Sequence, residues 1–316
     1  MPMGMSRVRR VDVIADLAAV RRAVDGATRL EPDRTTLWWA THTPAGPATL
    51  RIRRRVGRYE FAGWGPGQDW IVAQGPAVVG SLDDADAFRP VDGPVRDLLR
   101  RHGPVVFGRT DRVFDACIAA VFGQKVQTVL AGRSVSQLTA ALGETAPGPV
   151  ALRLRPRPEV IVAAGSAALH RFGVERKRGD TLVRAAREAS RLERAGTDGP
   201  DALDRRLLTV RGIGAWTSAV VRRTALGDPD AVPVGDAHIP HTVCWALAGE
   251  PRGDDARMLE LLEPYRPHRG RVVALLEATV RAAPRFGPRL ECLPLDRFDR
   301  PGARLRDRGP RPYDAR

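Results

Sequence analysis

The sequence predicts a mainly α-helical protein, with two helical subdomains preceded by a small N-terminal α+β domain built on an antiparallel sheet. Three observations carry that expectation. Residues 1–95 carry most of the extended, β-type runs; an apolar period of helical spacing takes over from Asp111; and Gly212-Ile213-Gly214 forms a tight turn between two short helical segments. At 316 residues the chain is long enough to bury a sizeable core and to divide into more than one subdomain. The boundaries that follow are an N-terminal domain at 1–95, a helical core at 96–292 with a hairpin between two helices at 202–226, and a basic tail at 293–316.

In the first domain, Thr35 to Thr43, Ala48 to Val56, Arg58 to Ala62 and Trp70 to Ala73 are rich in β-branched and aromatic residues and read as strands. Gly63-Trp64-Gly65-Pro66-Gly67 reads as a loop between two of them, because closely spaced Gly and Pro end regular pairing. Trp38, Trp39, Trp64 and Trp70 could stack on bases, but tryptophans in a small sheet generally belong to its core, and they are assigned there. From Asp111 onward Phe114, Cys117, Ile118 and Val121 fall on one helical face, and a second helix runs from Gln124 towards Leu142, closed by Gly143. A Pro/Gly-rich loop spans Ala146 to Pro158. Helices follow near Pro158 to Ala164, Ser166 to Arg171, Lys177 to Arg194, Ala202 to Thr209, Ala215 to Leu226, Ala237 to Ala248, Asp254 to Leu262 and Arg269 to Ala282. The segment from Phe298 onward has almost no apolar residues and is expected to be disordered.

Charge gives the first functional clue. Fifty-one Lys plus Arg face 37 Asp plus Glu, for a net charge of +14, so a polyanionic partner is the simplest account. Only Lys125 and Lys177 are lysines; the remaining cations are arginines, whose planar fork suits phosphate. Coding bias toward Arg, Ala, Gly and Pro would give a similar composition. Cys117, Cys244 and Cys292 are too scattered for a disulfide framework and too few for an iron-sulfur cluster. No apolar run approaches membrane-spanning length, so no membrane partner and a cytoplasmic location are expected.

The segment Leu207 to Ala219 reads as helix, Gly-x-Gly turn, helix, which is a helix-hairpin-helix. Its glycines permit a sharp reversal and leave backbone N–H groups at the second helix free to approach a phosphate, with Ile213 anchoring the turn. An ordinary turn between packed helices would look similar. Further along, Val232-Pro233-Val234-Gly235-Asp236-Ala237-His238 places Asp236 at a helix start, where it serves as a cap, a catalytic carboxylate, or both.

Hairpin and aspartate in this order and separation resemble the helix-hairpin-helix DNA glycosylases, most closely the bacterial 3-methyladenine DNA glycosylase II branch. Phe122-Gly123-Gln124 and Phe172-Gly173 extend the resemblance over most of the chain. It implies that Gly212, Ile213 and Gly214 grip a DNA strand, with Gln124, Lys125 and Thr217 also at the DNA and a candidate backbone site for a monovalent cation at Val210. It further implies that Asp236 is catalytic, that Trp216, Val220 and His238 lie around the flipped base, and that no cofactor is required. The implied activity is monofunctional removal of a damaged base, an alkylated purine, from double-stranded DNA by a monomer. A non-catalytic DNA-binding protein and a glycosylase for a different lesion are the alternatives.

The chemistry agrees with the resemblance. Breaking an N-glycosidic bond builds positive charge on the sugar, which a carboxylate stabilises while orienting or deprotonating water. The chain also departs from the family's patterns. The strand-cutting branch carries a Schiff-base lysine two residues after the second hairpin glycine, where this chain has Trp216. Lys125 stands where alkylation-repair relatives have an apolar wedge, Val220 replaces an aromatic, and Arg271, Val272 and Glu277 occupy positions expected of aromatic pocket residues. His238 and His241 are further candidates for proton donation.

Overall fold

The computed structural model describes residues 8–11, 26–90 and 93–280, so the expected tail at 293–316 lies outside the described residues. Strands β1 (Val8–Val11), β2 (Thr28–Leu30), β3 (Thr36–Thr43), β4 (Gly46–Arg55) and β5 (Arg58–Trp64) form one antiparallel sheet in the order β1-β5-β4-β3-β2. Four consecutive strands meander, and β1 closes the far edge with Val8 opposite Ala62 and Val11 opposite Tyr59. Alternation along β3 sends Leu37 and Trp39 to one side, where they join Leu50, Ile52 and Phe61 against helix α1 (Gln68–Val78). Trp38 and Ala40 go to the other side and meet Ala146, Leu152 and Leu154 of the Pro/Gly-rich loop. All four sheet-domain tryptophans thus pack in or against apolar clusters, as expected of core residues.

Trp70 to Ala73 is a correction, since this run lies inside α1 and not in a strand. Its β-type composition misleads because the decisive feature is longer in range: Ile71, Val72, Gly75 and Val78 make a buried helical stripe facing the sheet. Gly75 permits that approach, since a Cβ there would lie 2.4 Å from the Phe61 ring. Of the expected loop at Gly63 to Gly67, Gly63 and Trp64 belong to β5, and Gly65 to Gly67 lead into a helix rather than into another strand.

Helices α3 (Val113–Phe122), α4 (Thr128–Leu142), α5 (Pro158–Leu169), α6 (Arg176–Arg187), α7 (Ala189–Thr197), α8 (Pro200–Leu208) and α9 (Ala215–Leu226) surround one apolar core. Helices α2 (Gly93–His102), α10 (Ile239–Ala248), α11 (Asp255–Leu262) and α12 (Arg269–Thr279) surround another. The expected break inside the 158–171 stretch is at Gly165, which has φ +70°. The single helix expected over Lys177 to Arg194 is instead two, broken at Glu188 (φ −97°, ψ 2°). The strands β1 and β2 and the helix α2 are additional to the sequence expectation. The strands are only 4 and 3 residues long, and α2 buries only Val95 and Leu98.

Helix α3 is the centre of the first core, with eight of its ten residues buried. Its own N-cap residue, Arg112, makes no side-chain cap, and the half-buried Glu193 of α7 substitutes, accepting from the N–H groups of Val113 (3.1 Å) and Phe114 (3.0 Å). The sheet is fastened to α3 by polar contacts: Thr41 donates to Asp115 (2.7 Å), Arg155 donates to the Asp115 carbonyl (2.7 Å), and the His42 ring meets the Arg155 carbonyl (3.2 Å). The segment after α1 is fastened to the second core by Arg271, 1% exposed, which makes a two-pronged pair with Asp83 at 2.7 Å on each arm and lies over the Phe107 ring. Among the described residues no helix is long and apolar enough to cross a membrane.

Candidate active site

The two helical cores meet where the chain leaves α9 and enters α10, and the expected site residues gather at that crossing. The hairpin spans Thr209–Gly214 between α8 and α9. Ile213 is buried in the first core, and its N–H returns to the Val210 carbonyl at 2.9 Å, so the expected anchor is in place. The two glycines differ. Gly212 has φ +101°, and a Cβ there would lie 2.0 Å from the Thr181 hydroxyl, so the fold itself demands glycine. Gly214 has an ordinary extended backbone (φ −105°, ψ −174°), and a Cβ there would meet nothing within 4 Å. Among the described residues, none accepts from the N–H groups of Gly214, Ala215 or Trp216, the start of α9. Exposed glycine backbone leading into a helix N-terminus is what an anionic group can approach.

Gln124, in the turn between α3 and α4, donates its amide to the Gly212 carbonyl (3.0 Å) and the Thr217 hydroxyl (2.9 Å). That bridge fixes the hairpin to the first core. It also corrects the expectation for Thr217, which is 3% exposed and serves as a latch rather than as a DNA-facing group. Lys125 is exposed on the same turn with φ +55°, a conformation uncommon outside glycine and Asn/Asp.

Asp236 is held by three donors. Its Oδ1 accepts from the N–H groups of His238 (2.8 Å) and Ile239 (3.1 Å), and its Oδ2 accepts from the Trp216 indole N–H (2.9 Å). The N-cap position of α10 is His238 rather than Asp236, but the Asp236 carboxylate, half-buried, caps from two residues upstream, tied on one oxygen to the start of α10 and on the other to α9. The far edge of the Trp216 ring lies against Gly123, where an added Cβ would be 3.4 Å away, so the indole bridges Asp236 and the α3–α4 turn. Val220, one turn later on α9, is half-buried and packs against the first core.

The loop carrying Asp236 is braced from both sides. Asp228, buried and pushed up in pKa by its burial against the opposing charge of Arg222, pairs with that arginine, which also reaches Asp204 (3.3 Å). Asp230 pairs with Arg269 (2.6 Å), the Pro229 carbonyl accepts from the Arg271 N–H (2.9 Å), and Gly235 donates to Asp255 (3.1 Å). Sequence reasoning missed this bracing. Its acids lie in plain view in Asp228-Pro229-Asp230, but the partners sit on other helices.

Two candidates are reassigned. His241 accepts the Gly253 N–H on Nδ1 (3.2 Å) and so holds the loop between α10 and α11, whereas His238 is exposed and engages Asp236 only through its backbone. Arg271 and Val272 are buried in the second core, while Glu277 faces Arg223 at 4.0 Å. At the candidate cation site the Val210 carbonyl already accepts from Ile213, and the Arg211 and Gly212 carbonyls accept from Arg184 (3.1 Å) and Gln124 (3.0 Å). The hairpin is thus shaped by the chain's own donors, with each of these carbonyls keeping a second lone pair. Among the described residues no three His, Cys, Asp or Glu side chains are grouped to hold a metal ion.

No family model and no curated protein matches the sequence. Solved structures match the fold over most of its length. A 3-methyladenine DNA glycosylase from Archaeoglobus fulgidus superimposes with a TM-score of 0.72 at 18% identity, covering 85% of this chain and 96% of that one. An 8-oxoguanine glycosylase/lyase from Clostridium acetobutylicum gives 0.65 at 9% identity over 88% and 99%. A 3-methyladenine DNA glycosylase from Schizosaccharomyces pombe, in complex with abasic DNA, gives 0.51 at 19% identity over 61% and 93%. The chain thus shares the fold of these DNA glycosylase structures.

Proposed function

We propose that the protein is a monofunctional DNA glycosylase that removes damaged bases, alkylated purines above all, by hydrolysing the N-glycosidic bond. The observation that carries this reading is the fixed carboxylate of Asp236, held by two backbone N–H groups and the Trp216 indole at the seam of the two helical cores, beside a hairpin with open amides. A strand held by the hairpin amides brings a sugar toward the carboxylate. Asp236 then stabilises the positive charge that grows on that sugar and directs water to it, a contribution of about 10²- to 10⁴-fold for a positioned base. The target leaves the stack first, at a cost of a few kcal/mol that is smallest for damaged bases.

Water as nucleophile follows from what occupies the lyase position. Trp216 is there, and Lys125 and Lys177 lie exposed on the α3–α4 turn and at the start of α6. A cationic alkylated purine suits the site because it departs as a neutral base and asks for little acid catalysis, and because the Trp216 ring offers a face to its charge. The partner is duplex DNA containing the lesion, bound by a monomer; no cofactor is needed beyond an optional monovalent cation at Val210. Mass spectrometry of bases released from methylated, deaminated and oxidised DNA tests the reading. Methylated purines are the expected products. Release of oxidised bases alone would overturn the lesion assignment, and release of none would overturn the activity.

A further inference from the structure

A cleft of about 430 Å³ at the base of the hairpin is lined by Arg184, Arg187, Glu188, Arg206, Thr209, Val210 and Arg211. Four arginines face one glutamate there, and that glutamate is already shared by Arg206 and Arg191. Arg184 donates to the neutral Arg211 carbonyl (3.1 Å). Among the described residues, no carboxylate pairs with Arg184, Arg187 or Arg211. Arg222, Arg257, Arg269 and Arg271 are each neutralised by a carboxylate, whereas around this one opening three guanidiniums gather without such a partner. Arg187 and Arg211 are exposed and free to move toward a ligand.

We infer that this cleft is a second phosphate-binding site, which takes the backbone of the strand held at Gly214 one or two phosphates further along. The inference rests on the DNA-binding reading above and extends it. Thr209, Val210 and Arg211 form both the cleft's wall and the lead-in to the hairpin, so the cleft adjoins the segment that leads into the α9 amides. Guanidinium forks suit phosphate oxygens, and each phosphate neutralised releases counterions.

The test is the salt dependence of binding to a short duplex carrying an abasic-site analogue, followed by fluorescence anisotropy, for the wild type and an Arg187→Gln/Arg211→Gln double variant. Each lost phosphate contact lowers the slope of log affinity against log salt by about 0.9, so the double variant's slope should fall by about one to two. Its affinity should drop about tenfold at low salt, equally for damaged and undamaged duplex, with unchanged thermal melting. Glu188→Gln should act in the opposite direction and tighten binding. If both variants bind with wild-type affinity and slope, the cleft assignment is wrong while the DNA reading stands. If the wild type binds DNA without salt dependence, or not at all, that reading falls and takes the cleft assignment with it.

Discussion

The loop that carries Asp236 and the hairpin that precedes α9 are neighbours built on opposite principles. The loop is saturated: Asp228, Asp230, Gly235 and Asp236 each have a named partner on another segment of the chain, leaving few backbone or side-chain groups to satisfy. The hairpin is half-open, with Gly212 locked against Thr181 and Gly214 standing in clear space ahead of unpaired amides. The contrast separates two tasks. A group that must meet a transition state is pre-positioned by interactions made before substrate arrives, whereas a group that must meet phosphate keeps its donors vacant. Changes in the loop should therefore alter turnover or stability, and changes at the open half of the hairpin should alter affinity.

The largest expected effect is on the bracing of the loop. Asp228→Ala strands Arg222 between α8 and α9 with only Asp204 for a partner, and stability should fall by about 3 kcal/mol in chemical denaturation. A loss below the resolution of the measurement would mean that the pair is ornamental. Next is Trp216→Phe, which keeps an aromatic ring but removes the donor to Asp236 Oδ2. A hydrogen bond to a charged group contributes about 1.5–3 kcal/mol, so single-turnover excision should slow by at least tenfold with DNA affinity little changed. Loss of affinity without loss of rate would place Trp216 in binding instead.

A smaller effect divides the two glycines. Gly212→Ala should cost about 1 kcal/mol or more of stability, because alanine is poorly accommodated at φ +101° and collides with Thr181. Gly214→Ala should melt like the wild type yet bind DNA more weakly, its methyl group occupying space that the fold leaves empty. Equal behaviour of the two variants would erase the distinction drawn here. The smallest effect is a pH response at the seam between sheet and helices. Burial, with Arg157 nearby, lowers the pKa of His42 against the opposing pull of Asp115. A lowered histidine contributes stability above its ordinary value of 6.5 that is lost as pH falls through the folded value, so mild acid should destabilise the wild type more than His42→Gln.

Legibility in the sequence followed the range of the interactions. The hairpin and the cap at Asp236 were readable because each is set within a few residues: two glycines, an apolar anchor, an acid at a helix start. The helical period from Asp111 was readable for the same reason, and α9 has the bounds expected of it. What escaped was tertiary. Arg271 meets Asp83 across 188 residues, and a helix position that looked like pocket lining proved to be core. Thr217 looked like a polar group for DNA, yet its partner is Gln124, 93 residues earlier. Trp216 and Asp236 were each singled out, but the hydrogen bond that makes them one unit appears only when α9 and α10 are placed side by side. Trp70 to Ala73 failed in the other direction, because local β-type composition yielded to a helical stripe that the sheet could cover.

The claim that Asp236 is the catalytic group, and not only a cap, is tested most directly by Asp236→Asn on methylated duplex DNA, with base release, strand integrity and affinity measured together. Asparagine retains an oxygen for the His238 and Ile239 N–H groups, so the fold should survive, while its amide nitrogen would face the Trp216 donor unproductively. The wild type should release the base and leave an intact abasic strand, with no covalent complex trapped by borohydride. The variant should bind at least as tightly and lose excision by about 10²-fold or more. Near-normal excision by Asp236→Asn would reduce the aspartate to a helix cap and contradict the mechanism.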